Sequence, residues 1–104
     1  MHPDSELAAV VRAALADIER ASAVAVEVIK AAEDLDCALA AVKESHARVR
    51  QVFESHAELR TEIAGRVWDA QRLSLAALAA RVGVSKSRAE QMIKEVKRDR
   101  EGES

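Results

Sequence analysis

The stretch that decides the fold is LSLAALAARVGVSKSRAEQMIKEVK, residues 73–97. Ser74 and Ser85 are typical helix N-caps, because a serine hydroxyl accepts a hydrogen bond from a free backbone N–H of the first turn. Gly83 lies between them, and glycine reaches positive φ without the steric cost that other residues meet. The stretch therefore predicts a helix over 75–81, a sharp turn, and a second helix over 86–98.

Apolar residues recur at helical spacing in both predicted helices, so each helix has one face that can be buried. The remaining side chains of the second helix are polar or charged and should face the other side. The inward residues are expected to be Leu75, Leu78, Ala79, Val82, Ala89, Met92, Ile93 and Val96.

This arrangement resembles the helix-turn-helix of bacterial transcriptional regulators and of the promoter-reading domain of sigma factors. The likeness rests on the small Ala79, Gly83 four residues later, Val84 after it, and Met92 nine residues after the glycine. With the preceding helix it covers roughly a third of the chain. Ala89 departs from the family, which usually has a larger aliphatic there, and Trp68 is expected to fill the gap. An ordinary helical hairpin without a nucleic-acid partner stays an alternative.

The resemblance implies that the second helix enters the major groove of double-stranded DNA, with its N-terminal residues at the base edges. Arg88 could donate two hydrogen bonds to guanine, and Gln91 could pair with adenine. The expected base contacts are Ser85, Lys86, Ser87, Arg88 and Gln91. The expected phosphate contacts, which position a protein without specifying sequence, are Arg66, Arg72, Ser74, Arg81, Lys94, Lys97 and Arg98.

A long heptad pattern precedes this region. Alternating steps of four and three from Leu7 to His56 meet fifteen positions, of which thirteen are apolar. Such a repeat is typical of a coiled coil or a long helical hairpin, because it keeps one stripe facing a partner helix. The stripe predicts a homodimer interface at Leu7, Val11, Ile18, Val28, Leu35, Leu39, Val42, Val49 and Phe53.

Two arrangements of this arm are open. One continuous helix of about 55 residues would be about 80 Å long and could bury its stripe only against a second chain. Alternatively, the helix breaks at residues 33–36, where Asp34 or Asp36 could cap a new one, and antiparallel helices associate across a dimer. We favour the second. Residues 59–71 then form the first helix of the head, with Leu59, Ile63, Val67 and Trp68 expected to face inward, and continue from the arm through Gly65.

The charge is divided between the two parts of the chain. Residues 1–65 hold seven basic against twelve acidic residues, and residues 66–100 hold nine basic against four acidic ones. An acidic arm joined to a basic head fits a molecule in which only the head meets phosphate. The sequence thus predicts an all-α protein with a helical dimerisation arm (1–58), a three-helix DNA-binding head (59–98) and a frayed tail (99–104).

Nothing in the sequence indicates catalysis. It has no nucleophile and base constellation, glycine-rich phosphate loop or metal-ligand cluster, so we expect no enzyme, no cofactor and no metal. The single Cys37 cannot form an internal disulfide, which is typical of a reducing cytoplasm. No signal peptide or membrane span is evident. We expect a cytoplasmic regulator of transcription. A structural adaptor that binds another protein through its arm, or a nucleoid, plasmid or phage DNA-organising factor, stays an alternative.

Overall fold

The apolar periodicity is realised as helix over most of the part of the chain that the structure describes. The computed structural model describes residues 3–102, and over that range it contains four α-helices and no strand. They are α1 (Pro3–Lys30), α2 (Leu35–Gln71), α3 (Leu75–Val82) and α4 (Lys86–Gly102). The predicted all-α class is confirmed. None of the helices in this range is both long and apolar enough to cross a membrane.

The chain divides into two compact units, unit 1 (Met1–Val49) and unit 2 (Arg50–Ser104). Their boundary falls within α2, nine residues before the start predicted for the head. Ala57 is partly buried and Thr61 is buried within unit 2. The partly and fully buried positions that α2 contributes to unit 2 thus begin before the start expected for the head at residue 59.

The break predicted in the arm is confirmed, and a single helix across it is excluded. Asp34 lies just before α2, and its Oδ1 accepts hydrogen bonds from the backbone N–H groups of Asp36 at 2.9 Å and Cys37 at 3.1 Å. The Cys37 backbone bond, followed by the Cys37 side chain and the Asp36 backbone, lowers the pKa of the Asp34 carboxyl below its ordinary value. Asp34, rather than Asp36, is thus the residue that caps α2.

Unit 1 leaves its apolar side chains accessible within the single chain. No side chain described between residues 5 and 49 is buried, and the most enclosed ones, such as Ile29, are only half-buried. Twelve large hydrophobic side chains are exposed there. All the residues of the predicted dimer interface in this unit are among them: Leu7, Val11, Ile18, Val28, Leu35, Leu39, Val42 and Val49.

Unit 2 contains the core. Its buried residues come from all three helices of the unit, and partly buried apolar side chains, including Trp68, pack against them. Ala89 is fully buried in this cluster, so the core accommodates a small residue at that position. The buried core residues are Ala64, Leu78, Ala79, Ala89, Met92 and Ile93.

The face that α2 turns toward the core is the expected one only in part, since Val67 and Trp68 are partly buried as predicted. Leu59 and Ile63, predicted to point inward, are 52% and 42% exposed. Ala64 and Gly65 are buried instead, and a Cβ added to Gly65 would lie only 2.9 Å from Cγ2 of Val96. Because small side chains allow two helix backbones to approach closely, α4 crosses α2 at the small residues, and the larger aliphatics remain outside the contact.

The last helix is longer than the sequence predicted. It continues through Gly102, four residues beyond the expected end. The Arg100 guanidinium forms an ion pair with Asp69 of α2, which gives the last turns of α4 a contact outside the helix. The predicted tail 99–104 is therefore helical as far as Gly102, and its final two residues lie outside the described part of the chain.

Candidate nucleic-acid interface

The turn between α3 and α4 is closed by the local hydrogen bonds that its sequence predicts. Gly83 has φ 85° and ψ 34°, and its N–H donates to the Ala79 carbonyl at 2.9 Å. The Val84 N–H donates to the same carbonyl at 3.0 Å. Ser85 then caps α4, since its Oγ accepts a bond from the Arg88 N–H at 3.1 Å. Two helices are thus joined by a short turn that ends one and starts the next.

The helix before this turn is also capped as predicted. Ser74 has an extended backbone, φ −68° and ψ 161°, and its hydroxyl accepts a hydrogen bond from the Ala77 N–H at 3.1 Å. One of the first free N–H groups of α3 is satisfied in this way. The Ser74 hydroxyl therefore has a structural role, whether or not it also contacts a phosphate.

Four exposed polar residues of α4 form what we call the outward row: Ser87, Gln91, Lys94 and Arg98. They recur at intervals of four, three and four residues, which places them on one face of a helix with 3.6 residues per turn. Ala89, Met92 and Ile93 lie on the opposite side, in the core. Within the row, Lys94 Nζ lies 3.5 Å from Glu90 Oε1 of the same helix.

The residues predicted to contact bases are not all on this row. Ser85 and Lys86 are exposed at the start of α4. Arg88 lies to one side, its side chain only 35% exposed, and its Nη1 is 3.5 Å from Glu95 Oε1. The structure therefore brings Gln91 together with Lys94 and Arg98, which were expected to bind phosphate, and separates Arg88 from them.

The other residues predicted to contact phosphate lie on α2, on α3, on α4 and in the turn between α2 and α3. Arg81 donates a 2.8 Å hydrogen bond from Nη1 to Gln71 Oε1, which ties the end of α3 to the end of α2. Arg72 is exposed in the turn between those helices, with φ 50°. Lys97 Nζ lies 5.2 Å from the centre of the Trp68 ring, within cation–π range. Arg66 is exposed on α2.

An open groove of about 760 Å³ runs between α2 and α4 within unit 2. Both acidic and basic side chains line the groove, and each of the two helices contributes carboxylates to it. The charged residues that line it are Glu58, Glu62, Arg66, Arg88, Glu95, Asp99 and Arg100. The flank of α4 that carries Arg88 thus borders a groove that is lined by four carboxylates and by two further arginines.

Sequence reasoning missed three charged residues that shape this surface. Glu90 and Glu95 pair with Lys94 and Arg88, and Arg100 anchors α4 to α2. The Lys94 pair has a sequence signal, since the two residues are four apart on a helix. The other two pairs have no comparable signal, because one spans seven residues and the other joins two helices.

Among the described residues, no group of three or more His, Cys, Asp or Glu side chains is placed to hold a metal ion.

Comparison of the chain with protein-family models, with curated proteins and with solved structures finds no match.

Proposed function

We propose that this protein binds double-stranded DNA in a sequence-specific manner through a helix-turn-helix formed by α3, the Gly83 turn and α4. Two chains pair through their N-terminal helices, so that two such motifs meet one DNA site. The role that this combination fits best is that of a bacterial transcriptional regulator in the cytoplasm, without catalytic activity.

The observation that carries the proposal is the outward row beside a capped turn. Gln91, Lys94 and Arg98 are exposed on the side of α4 away from the core. A helix that exposes a row of amide and basic side chains, and is fixed by a buried opposite face, has the form required to enter a major groove. The surplus of basic residues over 66–100 favours an approach to phosphate.

The turn at Arg72 supplies independent support. Its φ of 50° is the left-handed conformation that glycine adopts at the end of a helix without steric cost. An arginine in this conformation costs about 1 kcal/mol relative to glycine. A strained backbone at an exposed basic residue is consistent with a phosphate contact that offsets the cost when DNA is bound.

The partner that we propose for unit 1 is a second copy of this chain. Eight of its twelve exposed large hydrophobic residues follow the heptad repeat, which is the pattern of a seam between helices. Each Leu, Val or Ile that becomes fully buried contributes about 1.5–3 kcal/mol. Pairing also raises the avidity of two DNA-binding motifs whose individual affinity at physiological salt is low.

The first experiment is a selection of bound sequences from a random duplex library, followed by fluorescence anisotropy as a function of salt. We expect a recurring site with two half-sites. Gln91→Ala should lose preference for particular bases, whereas Arg98→Ala should weaken binding to all sequences and reduce the salt slope by about 1. Arg12→Ala, which removes an exposed positive charge from α1, is the matched control and should leave binding unchanged.

Each outcome of that experiment has a distinct meaning. Salt-sensitive binding without a recurring sequence would indicate a DNA-organising factor instead of a regulator. Absence of salt-sensitive binding to any duplex would reject the proposal. Because Trp68 is the only tryptophan and lies beneath Lys97, its fluorescence offers a second measure of binding close to the proposed surface.

The pairing is tested by sedimentation with Leu39→Lys and Ala40→Lys. Both positions are exposed in the single chain, so neither variant removes a core contact, and both add the same charge. Leu39 belongs to the heptad stripe, and Ala40 lies off it. We expect Leu39→Lys to shift the mass toward the monomer and Ala40→Lys to leave a dimer. Equal masses for both variants and the unmodified protein would exclude Leu39 from the interface.

A second candidate function is suggested by the same exposed stripe. An adaptor would use the apolar face of unit 1 to bind helices of another protein, and unit 2 would only dock. It differs from the proposed regulator in two measurable respects. The isolated chain would be a monomer at concentrations where the regulator is a dimer, and it would show no salt-sensitive affinity for DNA.

A further inference from the structure

The Arg88 side chain extends toward the C-terminus of α4, which is unusual for a residue in the first turn of a helix. Its partner Glu95 is seven residues later on the same helix, two turns toward the C-terminus. Helical side chains lean toward the N-terminus, and seven residues of helix rise about 10.5 Å. The two side chains must therefore extend toward each other along α4 to reach their 3.5 Å separation. The ion pair draws the guanidinium away from the end of α4 that would approach base edges.

The position of Arg88 remains accessible to solvent. Arg88 lines the groove between α2 and α4, whose other charged lining residues include both carboxylates, such as Glu62, and the guanidinium groups of Arg66 and Arg100. The side chains of Arg88 and Glu95 are 35% and 43% exposed, so solvent screens the pair and Arg88 stays reachable. A partly exposed pair of this kind changes an equilibrium by no more than a factor of about five. It is therefore strong enough to bias Arg88, yet weak enough to be exchanged.

We propose that Glu95 is a positioning residue that restrains Arg88, and that docking onto DNA exchanges the Glu95 carboxylate for an acceptor on the duplex. The acceptor is the pair of guanine atoms O6 and N7, which only some sequences offer at the position of Arg88. The inference rests on the proposed DNA-binding function and adds to it a device for selectivity. A duplex that offers Arg88 no suitable acceptor leaves the guanidinium with Glu95, which suppresses binding to unrelated sequences.

The test uses three variants of the full chain and a short mixed-sequence duplex, with affinity measured by anisotropy at low salt. Glu95→Gln should bind this duplex about two to five times more tightly, since the exchange no longer costs an ion pair. Glu95→Asp keeps the charge but shortens the side chain by one methylene, which is too short to span two turns. It should show a similar gain. In an Arg88→Ala background, Glu95→Gln should change affinity little.

Several results would overturn the inference. If Glu95→Asp binds as the unmodified protein does, only the charge of Glu95 matters and the pairing does not. A gain from Glu95→Gln that persists in the Arg88→Ala background leads to the same conclusion. Both results leave the proposed function intact when the unmodified protein still binds DNA with salt sensitivity. Failure of the unmodified protein to bind any duplex would instead reject the function and the inference together. Matching circular dichroism spectra and melting curves are required for every variant.

Discussion

Replacement of Gly65 by alanine tests how closely α2 and α4 approach. A Cβ at this position would lie 2.9 Å from Cγ2 of Val96, 3.0 Å from Cγ1 and 3.4 Å from Cβ. Rotation of the Val96 side chain cannot relieve the clash, because both methyl groups already face the glycine and β-branched residues have one strongly preferred rotamer in a helix. The helices must therefore move apart by several tenths of an ångström.

Two opposing effects decide the sign of the change. Alanine favours the helix over glycine by about 1 kcal/mol, whereas overpacking a close contact costs about 1–3 kcal/mol. We expect the clash to prevail and Gly65→Ala to lower the free energy of unfolding by about 1 kcal/mol, which lowers Tm by about 4–8 °C for a unit of this size. Val96→Ala removes both methyl groups. In that background Gly65→Ala should become stabilising, by up to about 1 kcal/mol.

The assay is thermal unfolding followed by circular dichroism, at one fixed protein concentration because pairing would make Tm depend on concentration. Gly102→Ala is the control, since nothing lies within 4 Å of a Cβ at that position. The reversal of sign between the two backgrounds is the decisive result. If Gly65→Ala stabilises the protein in its unmodified background, α2 and α4 do not approach as described and the argument for the small-residue crossing fails.

Three further predictions concern residues at the ends of the helices. Gly83→Ala places a side chain in open space but at φ 85°, so it should lower the free energy of unfolding by about 1–2 kcal/mol in a urea titration through backbone strain alone; no change would refute the left-handed turn. Arg72→Gly should have the opposite effect, raising stability by about 1 kcal/mol while it weakens DNA binding, and loss of stability would contradict the strain at φ 50°. The Asp34 carboxyl has a lowered pKa, so its cap contributes stability above the pKa of the unfolded chain and loses it as pH falls through the folded pKa. Hydrogen exchange of the Cys37 amide should accelerate over that acidic window, after correction for the intrinsic rate, and an Asp34→Ala variant should show the fast exchange already at neutral pH.

The features that could be predicted from the sequence are those fixed by local hydrogen bonds. Ser74, Ser85 and Asp34 each bond the backbone within three residues, and Gly83 satisfies the turn by its own conformation. A neighbour in sequence is enough to decide such contacts. For this reason the start of α3, the start of α4 and the break before α2 all lie within a residue or two of their predicted positions.

The face of α2 could not be predicted in the same way. Hydrophobicity pointed to Leu59 and Ile63, yet the crossing with α4 uses Ala64 and Gly65. Apolar periodicity indicates which side of a helix favours burial, but the choice between large and small residues depends on how near the partner backbone comes. The direction of the Arg88 side chain could not be predicted from the sequence for a related reason. A long side chain has many rotamers, and only the groove and Glu95 select among them.

The exposed stripe of unit 1 bears on how the whole chain is stabilised. Ordering one residue of backbone costs about 1–2 kcal/mol, and an isolated helix in water is marginal even with favourable residues. Unit 1 forms two helical segments in which no described side chain is buried within the single chain, so it lacks the apolar burial that offsets this cost. Under the proposed pairing, the second chain supplies that burial. The helicity of residues 5–49 should then rise with protein concentration in step with the dimer mass, whereas unit 2, with its own core of buried residues, should not depend on it.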